Sequence, residues 1–348
     1  MPWVILICTV LYLKREPVVS ICDVVGKGNT TVRAYIQKGL DAILAANLIK
    51  RPKPYHWQMI KDGFGEKGPF NNCIGAVDGT IIEIYHQHSA GEGRASHCAR
   101  KAKAGINALA ICDHRGYVYW LSTRGYGSAH DSAVFEKEGG YQMLNRRSIE
   151  TGNGYLLGDA GFRNCEFLLT PYRNDTGDFA IFNTSLSSSR MIIEQVFGQI
   201  KSRFRLLGSR LECKIGKDSQ IIAAAFSLHN FFVEKRYPME PPENKVPDED
   251  DDTELDEELQ DYFNVTISPD TLDRRMTRSM TSSKNEEDEE DEDEEDFMTL
   301  SYVSSPITLG SEEEDFVPLL EEEDEITSEI TGAAIRDEIK RMLCETRA

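Results

Sequence analysis

The spacing of hydrophobic positions changes along the 348 residues, and the changes divide the chain into segments. Residues 1–50 carry apolar positions three and four apart, which is typical of helices. After a predicted linker at 51–70, residues 71–235 combine short apolar runs typical of strands with longer helical stripes. Residues 236–348 have few large apolar side chains before a short helical stripe near the end. This pattern predicts a small helical segment, an α/β domain and a tail.

The stretch VVSICDVVGKGNTTVRAYIQKGLDAIL predicts two helices joined by a turn at Gly26 and Gly28. In the second helix, four apolar residues recur at helical spacing and would face the core: Val32, Ile36, Leu40 and Ile43. Thr31, Arg33 and Gln37 would then face outward, near the end of the helix where a helix-turn-helix protein meets DNA. A DNA-contacting helix is one interpretation of the pattern, and an ordinary helical hairpin is the other.

Strand-like stretches dominate the middle of the chain: CIGAVDGTIIEIY, GINALAICD, GYVYWLSTRGY and GYLLGDAGF. The second and third are joined by a predicted tight turn from His114 to Gly116. A helix-forming segment follows Asp131, and SSRMIIEQVFGQIKSRFRLLG predicts a long amphipathic helix. Three strands, a helix, a strand and then helices predict a mixed sheet with flanking helices.

Acidic residues interrupt several of these apolar stretches. Asp78 lies within the first strand, Asp159 ends the fourth, and Glu194 breaks the apolar face of the long helix. A buried carboxylate without a partner costs several kcal/mol, so each of these acids needs a cation or a set of hydrogen-bond donors. Asp131 is a fourth candidate, although Asp is also among the best helix N-caps.

Basic residues accompany the acid on the long helix, where Arg190, Lys201 and Arg205 fall near the stripe of Glu194. Carboxylates with Lys and Arg nearby suit divalent metals that handle phosphate, because hard cations such as Mg²⁺ take oxygen ligands. The histidines do not form the helical HExxH arrangement of zinc sites. We therefore expect them to be ordinary residues, with His130 the nearest candidate for a role.

The charge is distributed unevenly between the two ends. The net charge is −20, but residues 1–246 hold 31 Lys and Arg against 23 Asp and Glu, whereas the rest holds 8 against 36. Residues 247–326 are too acidic and too poor in apolar side chains to fold, which predicts a disordered tail. The tail would serve solubility, or act as a mobile anion that competes with nucleic acid or recruits a basic partner.

Near the end of the chain, TGAAIRDEIKRML places Ile335, Ile339 and Met342 on one helical stripe, with Thr331 as its cap. The eight cysteines form no CxxC pair, which favours buried thiols in a reducing compartment. The apolar run at the N-terminus covers about 11 residues, too few to span a bilayer. It also lacks the flanks of a signal peptide. We therefore predict a buried helix there and no membrane partner.

Five stretches together carry a family resemblance: GAVDGTIIEI, GSAHDSAVF, LLGDAGF, SRMIIEQVFGQIKSRFRLL and IIAAAFSLHNFF. In this order, over about residues 70–232, they resemble the Harbinger-type transposases and the transposase-derived nucleases descended from them. The resemblance implies a ribonuclease-H-like catalytic domain in which Asp78, Asp159 and Glu194 form a metal-binding DDE triad. It makes Asp131 a further metal ligand or a close neighbour. Residues 4–45 resemble the family's helix-turn-helix.

The resemblance implies a metal-dependent DNA endonuclease with Mg²⁺ or Mn²⁺ as cofactor and a two-metal mechanism. Arg190, Lys201 and Arg205 would contact phosphate, and Gly158 and Gly161 would leave room for ion, water and phosphate beside the triad. The alternative is a domesticated, catalytically idle DNA-binding protein that recruits partners through its acidic tail.

Expected partners follow from the same resemblance. DNA as substrate implies the nucleus, and family members are thought to rely on a separate Myb-like protein for import or targeting. Transposition brings two DNA ends together, which makes a homodimer reasonable. The basic island DRRMTRSMTSSK, residues 273–284, is a weak import signal or a solvated linker.

Overall fold

A five-stranded mixed sheet lies at the centre of the computed structural model, which describes residues 2–85, 105–127, 129–146, 151–211, 217–237 and 322–345. The strands are β1 (Cys73–Glu83), β2 (Gly105–Cys112), β3 (Val118–Tyr126), β4 (Tyr155–Leu157) and β5 (Leu168–Leu169). Their order in the sheet is β3-β2-β1-β4-β5. β1, β2 and β3 pair antiparallel, whereas β4 lies parallel to β1 and β5 parallel to β4. The predicted mixed sheet is confirmed.

Helices cover both faces of the sheet. They are α1 (Pro2–Leu13), α2 (Val18–Val25), α3 (Asn29–Ala45), α4 (His56–Gly65), α5 (Asp131–Lys137), α6 (Gly140–Arg146), α7 (Asp178–Arg203), α8 (Asp218–Arg236) and α9 (Glu322–Glu345). Because side chains alternate along a strand, Ala76 of β1 joins one hydrophobic cluster with α7 and α8, and Val77 joins the other with α4 and α5. The described residues all belong to one compact unit.

The N-terminal helices pack as the apolar pattern predicts. All four predicted core positions of α3 are buried: Val32, Ile36, Leu40 and Ile43. Gly26 ends α2 at a φ of 63°, a left-handed conformation that glycine adopts without steric cost. The expectation of a buried first helix was wrong in part. α1 buries Cys8 and Leu13, but Trp3 is 64% exposed and Leu6 is 50% exposed.

The segment predicted as a linker, 51–70, contains helix α4. Trp57, Ile60 and Phe64 are buried in the cluster that also holds Val77 of β1. Their spacing of three and four residues was the sign of a helix. A segment rich in proline at its start therefore becomes part of the core.

Two predicted elements differ in extent from the structure. β4 covers only Tyr155–Leu157, so Asp159 lies in the loop after the strand rather than at its last position. α7 ends at Arg203, because Phe204 leaves the helical conformation (φ −109°, ψ 76°) and is buried. Arg205 therefore lies beyond the helix and off the stripe on which the sequence pattern placed it.

The C-terminal stripe forms part of α9, which packs against α7 and β5. Ile339 is buried and Ile335 packs against the same cluster, as predicted. Met342 is 45% exposed, and Leu343 rather than Met342 packs against the hydrophobic cluster that contains Ile339. The predicted acidic tail up to residue 321, including the basic island at 273–284, lies outside the described residues.

Six cysteines in the described part of the chain are free thiols, and four of them are buried: Cys8, Cys73, Cys112 and Cys165. This agrees with the expected buried thiols. No helix among the described residues has both the length and the apolar content needed to cross a membrane.

Candidate active site

Asp78 lies in the middle of β1, opposite Ala110 of β2. The backbone N–H of Gly79 donates to its Oδ1 at 2.9 Å, and Arg190 Nη1 donates to its Oδ2 at 2.6 Å. The Asp78 side chain is 16% exposed. The strand thus presents a half-buried carboxylate toward α7, and both of its oxygens already have a donor.

Arg190 connects two members of the predicted triad. Its Nη2 donates to Glu194 Oε1 at 2.7 Å, one helical turn further along α7. The Arg190 side chain is 14% exposed, and the Glu194 side chain is 54% exposed. Asp78 and Glu194 are therefore joined through an arginine, which the sequence analysis placed beside the acids only as a phosphate contact.

Asp131 is the first residue of α5, so the N-cap position belongs to His130, which forms no side-chain cap hydrogen bond. The capping interpretation of Asp131 was therefore wrong. Instead, Asn107 Nδ2 donates to Asp131 Oδ1 at 2.5 Å. A Cβ on Gly79 would lie 2.3 Å from that oxygen, so Gly79 leaves the space that Asp131 occupies. Because side chains alternate along β1, Asp131 approaches from the face opposite Asp78.

Asp159 follows β4 by two residues. Its Oδ1 accepts the backbone N–H of Gly161 at 2.9 Å, which fixes the carboxylate in a local turn. The role predicted for Gly158, room for an ion, is not what the packing requires. A Cβ there would lie 2.9 Å from Leu168 Cδ2 and 3.1 Å from Phe162, so the glycine allows β4 and β5 to approach.

Three of the acids interact electrostatically. Burial raises the pKa of Asp78 to about 6, and Asp131 and Asp159 also raise it, whereas Arg190 and the Gly79 N–H act in the opposite sense. Burial also raises the pKa of Asp131, with Asp159 acting in the same direction and Asn107 opposing it. Carboxylates brought together in this way favour a bound cation.

The side-chain chemistry fits a divalent metal, although the acids stand apart. In the ranges that the structure describes, no three His, Cys, Asp or Glu residues lie close enough to hold an ion in this arrangement. The carboxylates nevertheless supply the hard oxygen atoms that Mg²⁺ and Mn²⁺ prefer. Asn107 Oδ1, beside Asp131, is a buried acceptor without a hydrogen-bond donor in the described part of the chain. A hydrated cation would satisfy such an acceptor.

Asn107 is a site residue that the sequence analysis missed. It is 1% exposed and lies within β2, where all eight residues are buried. Its Nδ2 also reaches the carbonyl oxygen of Ala129 at 3.4 Å, in the segment that leads to α5. An amide in the otherwise apolar run GINALAIC was the signal that could have identified it.

Two of the predicted phosphate-contacting residues, Lys201 and Arg205, differ in their surroundings. Lys201 Nζ donates to Thr80 Oγ1 at 2.7 Å and to the Ile81 carbonyl oxygen at 3.1 Å, which holds it beside β1, two residues past Asp78. Arg205 is exposed. Lys201 therefore lies along the strand that carries Asp78.

The predicted DNA-contacting residues of α3 also differ in exposure. Thr31 and Arg33 are exposed, and Arg33 Nε donates to Asn29 Oδ1 at 2.7 Å. Gln37 is half-buried and accepts a hydrogen bond from Lys217 Nζ at 2.8 Å, next to α8. The expectation that Gln37 faces outward was wrong, because α3 packs against α8 at this point.

Comparison with known proteins gives one family and several relatives. Residues 77–230 match the family model described as DDE superfamily endonuclease. A rat protein named "Putative nuclease HARBI1" is 32% identical over 184 residues, which cover 51% of this chain and 50% of the rat protein. The human protein of the same name is 30% identical over 205 residues, 56% of each chain. The chain thus spans about half the length of these curated relatives. No solved structure matches it.

Proposed function

Because residues 77–230 match the DDE superfamily endonuclease family model, we propose that this chain is a divalent-metal-dependent nuclease that cleaves the phosphodiester bonds of DNA. The observation that supports it best is electrostatic. Asp78, Asp131 and Asp159 come from separate segments, yet they lie close enough for the last two to raise the pKa of Asp78. Acids from separate segments that raise one another's pKa are typical of a metal-dependent phosphoryl-transfer site.

Each acid has its own place in the proposed site. Asp78, Asp159 and Glu194 would hold the metal ions, and Asp131 would complete or orient the cluster. When bound, Mg²⁺ or Mn²⁺ supplies Lewis-acid activation of a water molecule and stabilises the leaving oxygen. The backbone N–H groups of Gly79 and Gly161 keep the carboxylates of Asp78 and Asp159 in fixed orientations.

Basic side chains near the acids contact phosphate in this proposal. Lys201, held beside β1 by Thr80 and the Ile81 carbonyl, neutralises charge on the scissile phosphate, as oriented cations do in other phosphoryl-transfer sites. Arg190 would also neutralise phosphate charge once its ion pair with Asp78 is broken. Arg205 contacts the DNA backbone further away.

Cleavage of plasmid DNA in Mg²⁺ or Mn²⁺ tests the proposal. Asp78→Asn and Asp159→Asn keep the shape of each side chain but remove its charge, so each is expected to lower the rate at least 100-fold, within the range assigned to electrostatic stabilisation. Glu136→Gln is the matched control, because Glu136 is exposed on α5. Asp159→Asn cleaving as fast as the parent would refute the metal-site assignment.

The second candidate is a catalytically idle DNA-binding protein. The observation that favours it is the Arg190 bridge, because a guanidinium between Asp78 and Glu194 neutralises acids that a working site leaves for metal. Thermal unfolding in Mn²⁺ separates the two candidates. A metal site raises the melting temperature by mass action, and an idle site does not.

The remaining parts of the proposal concern location and partners. Thr31 and Arg33, exposed near the start of α3, contact DNA. DNA as substrate places the protein in the nucleus, where a Myb-like protein and a second copy of the chain are the proposed partners. The acidic tail recruits further partners or competes with DNA for the basic part of the chain.

A further inference from the structure

A groove of about 850 Å³ runs between α7 and the C-terminal end of α8. Ile192, Gln195, Gln199 and Arg203 form its α7 wall, at the three- and four-residue spacing that places them on one face of the helix. Phe232 and the residues that follow it on α8 form the opposite wall. Neither the catalytic hypothesis nor the helix-turn-helix segment uses this groove.

The charges along the groove are all of one sign. Five of its lining residues are Lys or Arg, and none is Asp or Glu: Lys67, Arg115, Arg203, Lys235 and Arg236. Arg115 is already paired with Asp113 and Glu234. The other four have no ion-pair partner within the described residues, and Arg203 Nη1 is a buried donor without an acceptor there. Four of the five cations of the groove therefore lack an anion on the protein side.

Aromatic rings lie among these cations. Phe232 is 45% exposed and Tyr237 is 48% exposed. The Arg203 guanidinium lies 4.6 Å from the centre of the Phe232 ring, and that of Arg236 lies 5.1 Å from the centre of the Tyr237 ring. Half-exposed aromatic rings with cations over them are typical of surfaces on which unpaired bases stack while the backbone follows the charge.

The groove is separate from the candidate active site. Successive residues of an α-helix are about 100° apart around its axis, so Gln199 lies roughly 140° from Glu194. The buried stripe of α7, which includes Ile193, Val196 and Ile200, lies on the longer arc between them, and exposed residues such as Met191 and Ser202 lie on the shorter one. One flank of α7 thus carries Arg190 and Glu194, and the other lines the groove.

We infer that the α7–α8 groove binds a single strand of nucleic acid. Lys67, Lys235 and Arg236 contact the phosphates, and a base stacks on Phe232 beside Arg203. Gln195 and Gln199 offer amide groups to base edges. The inference rests on the proposed function only in taking nucleic acid as the ligand, since none of the four acids contributes to the groove. Half-exposed aromatic rings and two neighbouring amide side chains favour this ligand over an acidic protein segment, for which charge alone would suffice.

Fluorescence anisotropy of a labelled 20-nucleotide oligo-dT, with the full chain in EDTA, tests the inference. Lys235→Gln combined with Arg236→Gln is expected to reduce the slope of log affinity against log salt by about 1.4, since each phosphate contact on a single strand contributes about 0.7. Phe232→Ala is expected to weaken binding about tenfold through lost stacking. These side chains are exposed, so the variants keep the fold. Arg173→Gln, an exposed arginine elsewhere, is the control and is expected to bind like the parent.

Three outcomes would overturn the inference. The groove variants could bind oligo-dT like the parent. Phe232→Ala could bind oligo-dT like the parent, while the variant with Lys235→Gln and Arg236→Gln loses as much affinity for a 20-base-pair duplex as for the single strand. That result would indicate a general cationic surface. The variants could lose binding to polyglutamate but not to DNA, which assigns the groove to an acidic protein. Repeating the measurement with Asp159→Asn keeps the result independent of cleavage, so failure of the groove and failure of the nuclease proposal remain distinguishable.

Discussion

Arg190 occupies the position between Asp78 and Glu194 where positive charge is needed, with distances of 2.6 and 2.7 Å to the two carboxylates. A metal ion held by the same acids has to compete with this guanidinium. Arg190 therefore stabilises the metal-free protein and opposes metal binding. In this view the arginine is exchanged for the ion rather than added to it.

Arg190→Gln is expected to change stability and metal affinity in opposite directions. Loss of the half-buried cation lowers the free energy of unfolding without metal by about 1–3 kcal/mol, less than for a fully buried pair. Removal of the competing charge strengthens Mn²⁺ binding roughly tenfold, which corresponds to about 1.4 kcal/mol. Urea unfolding and isothermal titration calorimetry measure the two effects separately.

Arg115 provides a matched control, because it also bridges two carboxylates, Asp113 at 2.9 Å and Glu234 at 3.4 Å. Arg115→Gln is expected to lower stability without changing Mn²⁺ affinity. Equal or weaker Mn²⁺ binding by Arg190→Gln would contradict the exchange described above.

His229 is a second residue whose charge state matters. It is fully buried in α8, and its Nε2 donates to the Gly116 carbonyl oxygen at 2.9 Å. Nδ1 has no partner in the described part of the chain, so protonation would place an uncompensated charge in the core. Burial accordingly lowers the pKa of His229 to about 4.

This pKa shift makes stability depend on pH. The folded value of about 4 lies below the ordinary value of 6.5, so the contribution of neutral His229 is complete above pH 6.5 and is lost as the pH falls toward 4. The loss amounts to roughly 3 kcal/mol. In His229→Gln, which does not titrate, urea unfolding between pH 4 and 7 is expected to show a correspondingly smaller pH dependence. The same dependence in both proteins would contradict this account.

Among the elements, α9 packs closely against the backbone just before β5. A Cβ on Gly332 would lie 2.3 Å from the carbonyl carbon of Cys165, so the helix can dock only with glycine there. Further along, Arg336 Nη1 donates to the Thr170 carbonyl oxygen at 3.2 Å, and its guanidinium lies 3.9 Å from the centre of the Tyr172 ring. Ile339 is buried in the same contact.

Gly332→Ala is therefore expected to release α9 from its site, because the new methyl group meets backbone rather than a flexible side chain. Hydrogen exchange of residues 332–345 should rise to the level of an undocked helix. Gly198→Ala in α7 is the matched change, since nothing lies within 4 Å of its Cβ position. It is expected to stabilise the protein by about 0.5–1 kcal/mol through helix propensity. Normal protection of α9 in Gly332→Ala would show that the contact tolerates a side chain.

The sequence predicted elements well where the apolar pattern was long and regular. β1, β2, β3 and α7 follow from runs of eight or more residues. β5, with two residues, has no periodicity to detect, and β4 is short because its pairing with β1 and β5 ends at Leu157. The extent of these strands depends on neighbours that are distant in sequence, which local pattern does not specify.

At the scale of the whole molecule, the sequence singled out candidate acids but not their arrangement. Asp78 and Asp159 became candidates because carboxylates interrupt apolar runs. The bridge through Arg190 and the approach of Asp131 from the other face of β1 depend on how helices pack across the sheet. Such packing is decided by the shapes of many side chains together, so no local pattern reveals it.

The order of the strands sets when the proposed metal site can assemble during folding. β2 and β3 pair through a short turn, whereas Ala76 of β1 pairs with Leu157 of β4, 81 residues later in the chain. Closing so long a loop costs more entropy than forming the hairpin, so this pairing is expected to come late. Asp78 and Asp159 remain apart until it does. A chain still being synthesised would therefore carry the acids of the proposed site before they meet, and the proposed cleavage of DNA would wait for the completed fold.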